Sequence, residues 1–173
     1  LEQARSADQR RAAGAPLSRL DGVPVIIKDN IECLGLPATA GSLAMSAAAQ
    51  RDALLVARLR AAGLVILAAA NLSEWANFRG KGSTSGWSAV GGLTDNPWRR
   101  GHSAGGSSAG SGAALAARYA PLAIGTETDG SITCPAALCG VVGLTPTVGT
   151  VPTQGVIPAS ASQDAPGPMG RSV

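Results

Sequence analysis

The chain has 173 residues, of which 45% are apolar, 14% are charged and 3% are aromatic, and its formal net charge is +3. An apolar share of this size excludes intrinsic disorder, which requires low hydrophobicity and a high net charge. The basic residues are scattered and no aromatic stacking platform accompanies them, so we expect no nucleic-acid partner. The longest apolar stretch, residues 61–70, is far shorter than the ~20 residues that a membrane-spanning helix needs, so we expect no membrane partner.

The cysteine content indicates a reducing compartment. Cys33, Cys134 and Cys139 cannot all pair, and their spacing fits neither a zinc site nor a disulfide framework. We therefore expect free buried thiols and a cytoplasmic location. No nucleotide-binding or metal-binding motif is present, so we expect neither a cofactor nor a metal. The chain opens with Leu1 inside a helical pattern and stops without a closing signal, from which we expect it to be a piece of a longer protein.

The first half of the chain alternates between predicted helices and strands. An exposed helix over residues 1–14 is followed by a short apolar run over 23–27, which is typical of a strand buried on both faces. A helix over 52–62 then leads to a second buried strand over 64–67. A short capped helical turn comes next.

The second half continues the alternation after a Gly- and Ser-rich segment over residues 80–106. A segment of this length is too long for a plain connection and is usually functional. The elements predicted after it are, in chain order, a helix over 107–119, a strand over 122–124, a polar turn over 125–130, a short helix over 135–140, a strand over 141–144 and a Pro/Gly-rich tail. Alternating strands and helices predict an α/β fold, an α/β/α sandwich around a mixed, mainly parallel sheet, within a single partial domain over 1–173.

Lys28 is the first candidate catalytic residue. It follows the first apolar strand directly, and ligands of open parallel sheets bind at the C-terminal ends of the strands. Partial desolvation there would lower the pKa of its ammonium group and make the amine a base. The more common alternative is a lysine whose amine extends into solvent. The residues alone leave both interpretations open.

Two serines at turns are the next candidates. Ser107 follows two glycines at a predicted helix start, where backbone N–H groups favour developing negative charge. Its alternative is an ordinary helix N-cap. Ser131 ends a turn in which Gly130 can adopt a positive φ, and such a turn can point successive N–H groups into one anion-binding concavity. Its alternative is a plain Asp-Gly turn.

Ser108 offers a different mechanism. Residues 106–110 match the pattern G-x-S-x-G, the nucleophile elbow of α/β-hydrolases, which would make Ser108 the nucleophile. That mechanism needs a histidine after the serine, and the only histidine, His102, precedes it. We therefore treat the elbow as a minor alternative and expect His102 to be a loop residue or a supporting one.

Four segments together resemble the amidase signature family, and the two serines Ser107 and Ser131 show the spacing of that family, 24 positions. The segments are 22–30, 105–112, 125–131 and 139–147. The resemblance implies an α/β/α fold with a Ser–Ser–Lys triad. Ser131 would be the nucleophile, Ser107 the bridging serine, reached through a cis peptide bond, and Lys28 the neutral base.

The same resemblance implies the remaining chemistry. An acyl-enzyme would form on Ser131, ammonia or an amine would leave, and water would release the acid without a metal or organic cofactor. The oxyanion would be held by the backbone N–H groups of four consecutive residues, namely Thr128, Asp129, Gly130 and Ser131.

Within the family, several segments are most similar to bacterial peptide amidases, which deamidate C-terminal peptide amides. These segments are 71–80, 85–89 and 156–164, together with Glu127 and Asp129 in the serine turn. The expected substrate is thus a peptide amide or another small amide. Trp75 and Trp87 would flank the substrate cleft, although loop anchoring explains such tryptophans equally well.

Some residues depart from the family pattern. Ala68–Ala70 replace a usual Gly-Lys-Thr, Ala104 replaces a usual proline and Thr145 replaces a usual lysine. None of these changes removes a triad residue. Family enzymes are also more than twice as long as this chain. Two alternatives therefore stay open, a glutamine-hydrolysing component of an amidotransferase that needs partner chains, and an inactive piece that serves as a structural or binding module.

Overall fold

A computed structural model describes all 173 residues. The helices are α1 (Glu2–Ala12), α2 (Leu54–Ala61), α3 (Ala109–Ala116) and α4 (Thr133–Cys139). The strands are β1 (Pro24–Lys28), β2 (Val65–Ala70), β3 (Trp87–Ser88), β4 (Gly92–Leu93), β5 (Asp95–Asn96), β6 (Arg99–Ser103), β7 (Leu122–Glu127), β8 (Val142–Gly143) and β9 (Ala165–Gly170). No helix is long and apolar enough to cross a membrane.

The central sheet has five strands in the order β2-β1-β7-β9-β8. Strand β1 pairs in parallel with β2 and with β7, whereas β9 is antiparallel to both of its neighbours, β7 and β8. Four strands therefore point in one direction and β9 alone runs against them. This arrangement confirms the predicted mixed, mainly parallel sheet.

Strand β1 carries the core on both of its faces, because successive side chains of a strand point to opposite sides. Val25 and Ile27 pack with Leu55 and Val56 of α2 on one side. Ile26 packs on the other side in a cluster supplied largely by α3, α4 and their flanks, with Leu115, Ile132 and Ala136 among its members. Helices therefore cover both faces, as the predicted α/β/α sandwich requires.

Two details of the predicted strands are wrong. Strand β2 is the edge of the sheet and not a buried strand, and Leu67 is 51% exposed. The apolar run in its sequence reflects packing on parts of its surface only. Strand β7 continues to Glu127, so the polar turn after it begins later than the predicted 125. Polar residues such as Thr126 remain in the strand because β9 pairs with the whole of β7.

The Pro/Gly-rich tail contains a strand that its sequence conceals. Strand β9 includes Pro166 and Pro168, and proline is normally confined to positions that donate no hydrogen bond to a neighbouring strand. The N–H of Leu144 donates to the carbonyl of Pro168, so this proline's nitrogen faces the β8 side, where pairing is short. The ladder to β7 is therefore kept.

The cysteines are free, as expected, but they are not all buried. Cys33 and Cys139 lie in the interior, whereas Cys134 is exposed on α4. Burial raises the pKa of the Cys139 thiol to about 11, which keeps that thiol protonated and unreactive.

Helix α3 approaches the end of β2 so closely that one position accepts only glycine. The N–H of Gly110 donates to the carbonyl of Asn71 at 2.9 Å. A Cβ on Gly110 would lie 2.5 Å from that same oxygen and 2.6 Å from the Asn71 nitrogen. This contact brings the start of α3, and with it Ser107, against the carboxyl ends of the parallel strands.

We expect Gly110→Ala to destabilise the chain although alanine favours helices. The new methyl group must displace backbone, which costs ~1–3 kcal/mol and outweighs the gain of ~1 kcal/mol in helix propensity. Gly80→Ala is the matched control, because a Cβ there meets nothing within 4 Å and φ is ordinary. Denaturant unfolding of the three proteins measures the effect. Equal stability of the two variants would contradict the close approach.

Candidate active site

Lys28 ends β1 and points its amine into the protein. Its side chain is completely buried, at 0% exposure. Its Nζ lies 2.7 Å from Ser107 Oγ and 2.8 Å from Thr126 Oγ1, and donates to the Thr126 carbonyl at 3.1 Å. All three neighbours are uncharged oxygens.

The amine therefore has an environment that disfavours its charged form. Burial lowers the pKa of Lys28 to about 7, and the charges of Asp164 and Glu127 oppose that shift only in part. Those two carboxylates accept hydrogen bonds from other groups and make none with Nζ. A lysine with such a pKa is largely neutral in mildly alkaline solution and can accept a proton.

Ser107 is held beside Lys28 by the turn that leads into α3. Its residue is buried, its peptide bond to Gly106 is cis, and its carbonyl accepts the N–H of Ser73 at 3.0 Å. A Cβ on Gly106 would collide with the hydroxyl of Ser73 and lie 2.7 Å from that of Ser85. The glycine before Ser107 thus allows the loop over 73–86 to press against the site.

Ser131 lies on the turn after β7, next to the start of α3. Its residue is buried, and its carbonyl accepts the N–H of Ser108 at 3.1 Å, which brings the two serine-bearing turns together. The Ser131 hydroxyl makes no hydrogen bond within the protein, so no direct bond links it to Ser107 in this structure. The hydroxyl is therefore available to a bound molecule.

The backbone before Ser131 presents a row of unused donors. The four N–H groups from Thr128 to Ser131 have no acceptor within the protein. Gly130 has φ +72°, the left-handed conformation that the sequence predicted for it. Successive free N–H groups in such a turn form an anion-binding concavity.

Two carboxylates hold this turn from opposite ends. Glu127 Oε2 accepts the N–H groups of Ile132 at 2.6 Å and Thr133 at 2.8 Å. Burial alone would raise the pKa of Glu127, but these bonds outweigh it and the pKa is lowered. Asp164 Oδ1 accepts the hydroxyl of Thr128 at 2.5 Å. The turn is thus tied down while its own N–H groups remain free.

Ser108 has a different environment from its neighbour. Its hydroxyl is fully buried, accepts the N–H of Thr126 and donates to the Thr126 carbonyl, each at 3.2 Å. These bonds attach α3 to β7 and disfavour a nucleophilic role. His102, the histidine that an elbow mechanism would need, lies on the exposed strand β6.

The two tryptophans do not line the triad residues. Trp87 lines a cavity of about 250 Å³ that includes none of Lys28, Ser107 and Ser131. Trp75 is half-buried on a left-handed turn and donates its N–H to the carbonyl of Ala40. Their assignment to the substrate cleft therefore stays a prediction.

Sequence reasoning missed several residues that support the candidate site. Thr126 accepts from both Lys28 Nζ and Asn30 Nδ2, and the Asn30 amide is buried. Both residues lie inside the segments that suggested the triad, so their position was a usable signal. Asp164 lies in the tail that showed no periodicity, and nothing in the sequence indicated that it contacts Thr128.

We expect Lys28→Met to change how stability depends on pH. Between about pH 7 and 10.5 the unfolded chain binds a proton on Lys28 that the folded chain does not. The wild-type free energy of unfolding therefore falls as pH is lowered through this window, by up to about 1.4 kcal/mol per pH unit. Methionine removes that contribution, so its stability relative to wild type rises toward pH 7.

Denaturant unfolding from pH 7 to 10 measures the difference between the two proteins. Lys81→Met is the control, because Lys81 is exposed and its replacement should give a difference that does not vary with pH. A constant difference for Lys28→Met would show that the buried amine is charged throughout.

Comparison with known proteins relates this geometry to a family. The family model described as Amidase matches residues 1–173. The native peptide amidase from Stenotrophomonas maltophilia, known at 1.4 Å, superimposes with a TM-score of 0.97 and 56% identity, covering 99% of this chain and 35% of that one. Its likeness includes the mixed sheet described above.

Curated relatives agree with that match. They are components of glutamyl-tRNA(Gln) amidotransferase, 50% identical in Thermobifida fusca and 47% in Salinispora arenicola, in each case over 100% of this chain and 34% of the relative. The chain thus spans about a third of the length of the curated relatives that it matches. Since the family match extends over its whole length, the chain belongs to the Amidase family.

Proposed function

We propose that this chain carries the catalytic residues of an amidohydrolase that cleaves a carboxamide C–N bond through a Ser–Ser–Lys triad. The observation that carries the proposal is the buried Lys28 amine, which lies 2.7 Å from Ser107 beside a turn with four unused N–H groups. A base with a lowered pKa next to a serine is the arrangement that nucleophilic catalysis requires.

In the proposed mechanism the proton of Ser131 passes through Ser107. Neutral Lys28 accepts the hydroxyl proton of Ser107, Ser107 takes the proton of Ser131, and Ser131 Oγ attacks the carbonyl carbon of the amide. The pKa of about 7 supports this role, because a general base works best when its pKa is near the working pH.

The negative charge of the tetrahedral intermediate would be held by the backbone N–H groups of Thr128, Asp129, Gly130 and Ser131. Fixed donors in a partly buried site stabilise developing charge more than water does, typically by ~3–4 kcal/mol per donor removed. The bonds of Glu127 and Asp164 support this role, since they immobilise the turn without using its donors.

Collapse of the intermediate breaks the C–N bond. The proton held by Lys28 returns through Ser107 to the leaving nitrogen, which departs as ammonia, and the acyl group stays on Ser131. Water then attacks the ester, gives one proton to the same relay and releases the carboxylic acid. The relay thus ends with Lys28 neutral and both serines protonated.

The preferred substrate in this proposal is a C-terminal peptide amide, which the 56% identity to a peptide amidase supports. The second candidate, glutamine hydrolysis within an amidotransferase, is supported by the relatives at 47–50% identity. The third is that the chain holds the residues without turning over and serves as a binding or structural module. We expect a partner only for the second candidate.

We expect a fluorophosphonate probe to label one serine, Ser131. Its labelling rate should increase as pH is raised through about 7, because only neutral Lys28 can accept the proton. Ser131→Ala should abolish the adduct, and Lys28→Ala should slow it by ~10²-fold or more, the usual effect of losing a general base. Intact-mass and peptide mass spectrometry measure both quantities.

Two exposed residues provide matched controls for that experiment, Ser162→Ala and Lys81→Ala, which should label like wild type. An adduct on Ser108 would favour the hydrolase elbow instead. Folded wild-type protein that forms no adduct on any serine would contradict the proposed triad and favour the binding module.

We expect ammonia release from N-acylated peptide amides by the chain alone, with much less release from free glutamine. Neutral peptide amides need no charged contacts, whereas glutamine brings an ammonium and a carboxylate that must be paired. A coupled ammonia assay compares the two substrates. Glutamine hydrolysis that appears only with a co-purifying protein would replace the peptide amidase assignment with the amidotransferase one.

A further inference from the structure

We propose that the cavity lined by Trp87 is a subsite that binds the main-chain peptide unit preceding the scissile amide, through Glu74 and Arg79. This inference rests on the proposed function and names what its substrate must carry. The cavity has a volume of about 250 Å³ and only one hydrophobic residue in its lining. Its lining is Glu74, Asn77, Arg79, Gly82, Ser83, Thr84 and Trp87.

The cavity adjoins the candidate catalytic residues through two neighbouring backbone contacts. Glu74 follows Ser73, whose N–H donates to the carbonyl of Ser107. Trp87 follows Gly86, whose N–H donates to the hydroxyl of Ser73 at 2.8 Å. The walls of the cavity are therefore each one residue away from groups bonded at the Ser107 turn. A group bound there would lie beside an amide held at Ser131.

Glu74 is a nearly buried carboxylate with one oxygen in use. The residue is 8% exposed, and Oε2 accepts from Arg79 Nη1 at 2.5 Å. Its second oxygen, Oε1, makes no hydrogen bond within the protein. A buried carboxylate oxygen without a donor is costly, and a donor from a bound molecule would relieve that cost.

Arg79 supplies donors on the same wall. Its guanidinium stands 5.4 Å from the centre of the Trp87 ring, so the ring and Glu74 hold it in place. Only one of its two terminal nitrogens is bonded to Glu74. The remaining N–H groups are free to meet a carbonyl oxygen. The cavity thus presents an acceptor and a donor side by side.

A pair of opposite charges selects a neutral ligand that has both kinds of group. A lone cation at Glu74 would meet Arg79, and a lone anion at Arg79 would meet Glu74, so neither gains a net attraction. A peptide unit carries one N–H and one C=O and matches both partners without a net charge. Charge-assisted hydrogen bonds of this kind are stronger than neutral ones.

The backbone that shapes this wall is strained. Trp75, Ala76 and Asn77 all have positive φ, at 50°, 54° and 71°. Non-glycine residues in this conformation cost roughly 1–2 kcal/mol each, and such positions cluster at ligand-binding sites. The strained turn directly follows Glu74 and contains Asn77, so it fixes two members of the lining relative to each other.

The test compares three amides that differ only in the proposed contact. N-acetyl-leucinamide carries the peptide unit, 4-methylpentanamide lacks it, and N-acetyl-N-methylleucinamide lacks only its N–H. Wild-type kcat/KM should be highest for the first. Glu74→Gln should reduce the preference for the first over the second by about tenfold or more, the effect of losing a hydrogen bond to a charged group.

N-methylation separates recognition from support of the fold. It should lower kcat/KM in the wild type but have little further effect in Glu74→Gln, because the same contact is already lost. Glu32→Gln is the matched control, since Glu32 forms a comparable surface ion pair with Arg51 far from this lining. If Glu74→Gln lowers kcat/KM for all three amides equally, Glu74 only supports the loop and the proposal is wrong.

A binding measurement keeps this result separate from the proposed reaction. In a Trp75→Phe, Trp98→Phe chain, Trp87 is the only tryptophan. N-acetyl-leucinamide should change its fluorescence saturably, and 4-methylpentanamide should not, even if no amide is hydrolysed. Hydrolysis without this discrimination overturns the subsite alone. Absence of hydrolysis with discrimination intact overturns the proposed reaction alone.

Discussion

Burial of the Lys28 amine among uncharged oxygens is the constraint on which the candidate site depends. A carboxylate in contact with Nζ would restore the charge and with it an ordinary pKa. Asp164 and Glu127 are close enough to influence that pKa, yet each is occupied by other donors. The fold thus keeps acids near the amine while denying it an ion pair. A neutral amine in the interior is the result.

Adjacent serines in the chain have opposite environments as a consequence of the same packing. The hydroxyl of Ser108 is bonded twice to the backbone of Thr126, which fastens α3 to the centre of the sheet. That attachment leaves the hydroxyl of Ser107 facing Lys28. The position of one serine therefore depends on the structural bonds of the next, and on the absence of a side chain at Gly110.

The sequence was most informative where the chain is locally regular or where a motif is compact. The alternation of apolar runs with helices predicted the sandwich, and the glycine-rich turns led to Ser107 and Ser131. It was least informative about β9, because prolines hide a strand whose partners lie elsewhere in the chain. It was equally silent about Asp164, whose contact with Thr128 spans 36 positions. The two tryptophans were recognisable as aromatic loop residues, but their neighbours in space were not.

The order of strands in the sheet has a consequence for how the site comes into being. Strands β1 and β7 are neighbours in the sheet, although Lys28 and Thr126 are 98 positions apart in the chain. Pairings between such distant segments raise the contact order, which slows folding, since the loop must close before its contacts form. The lysine therefore stays solvated and charged through the early, local steps of folding. It becomes a base only when the last long-range pairing removes it from water.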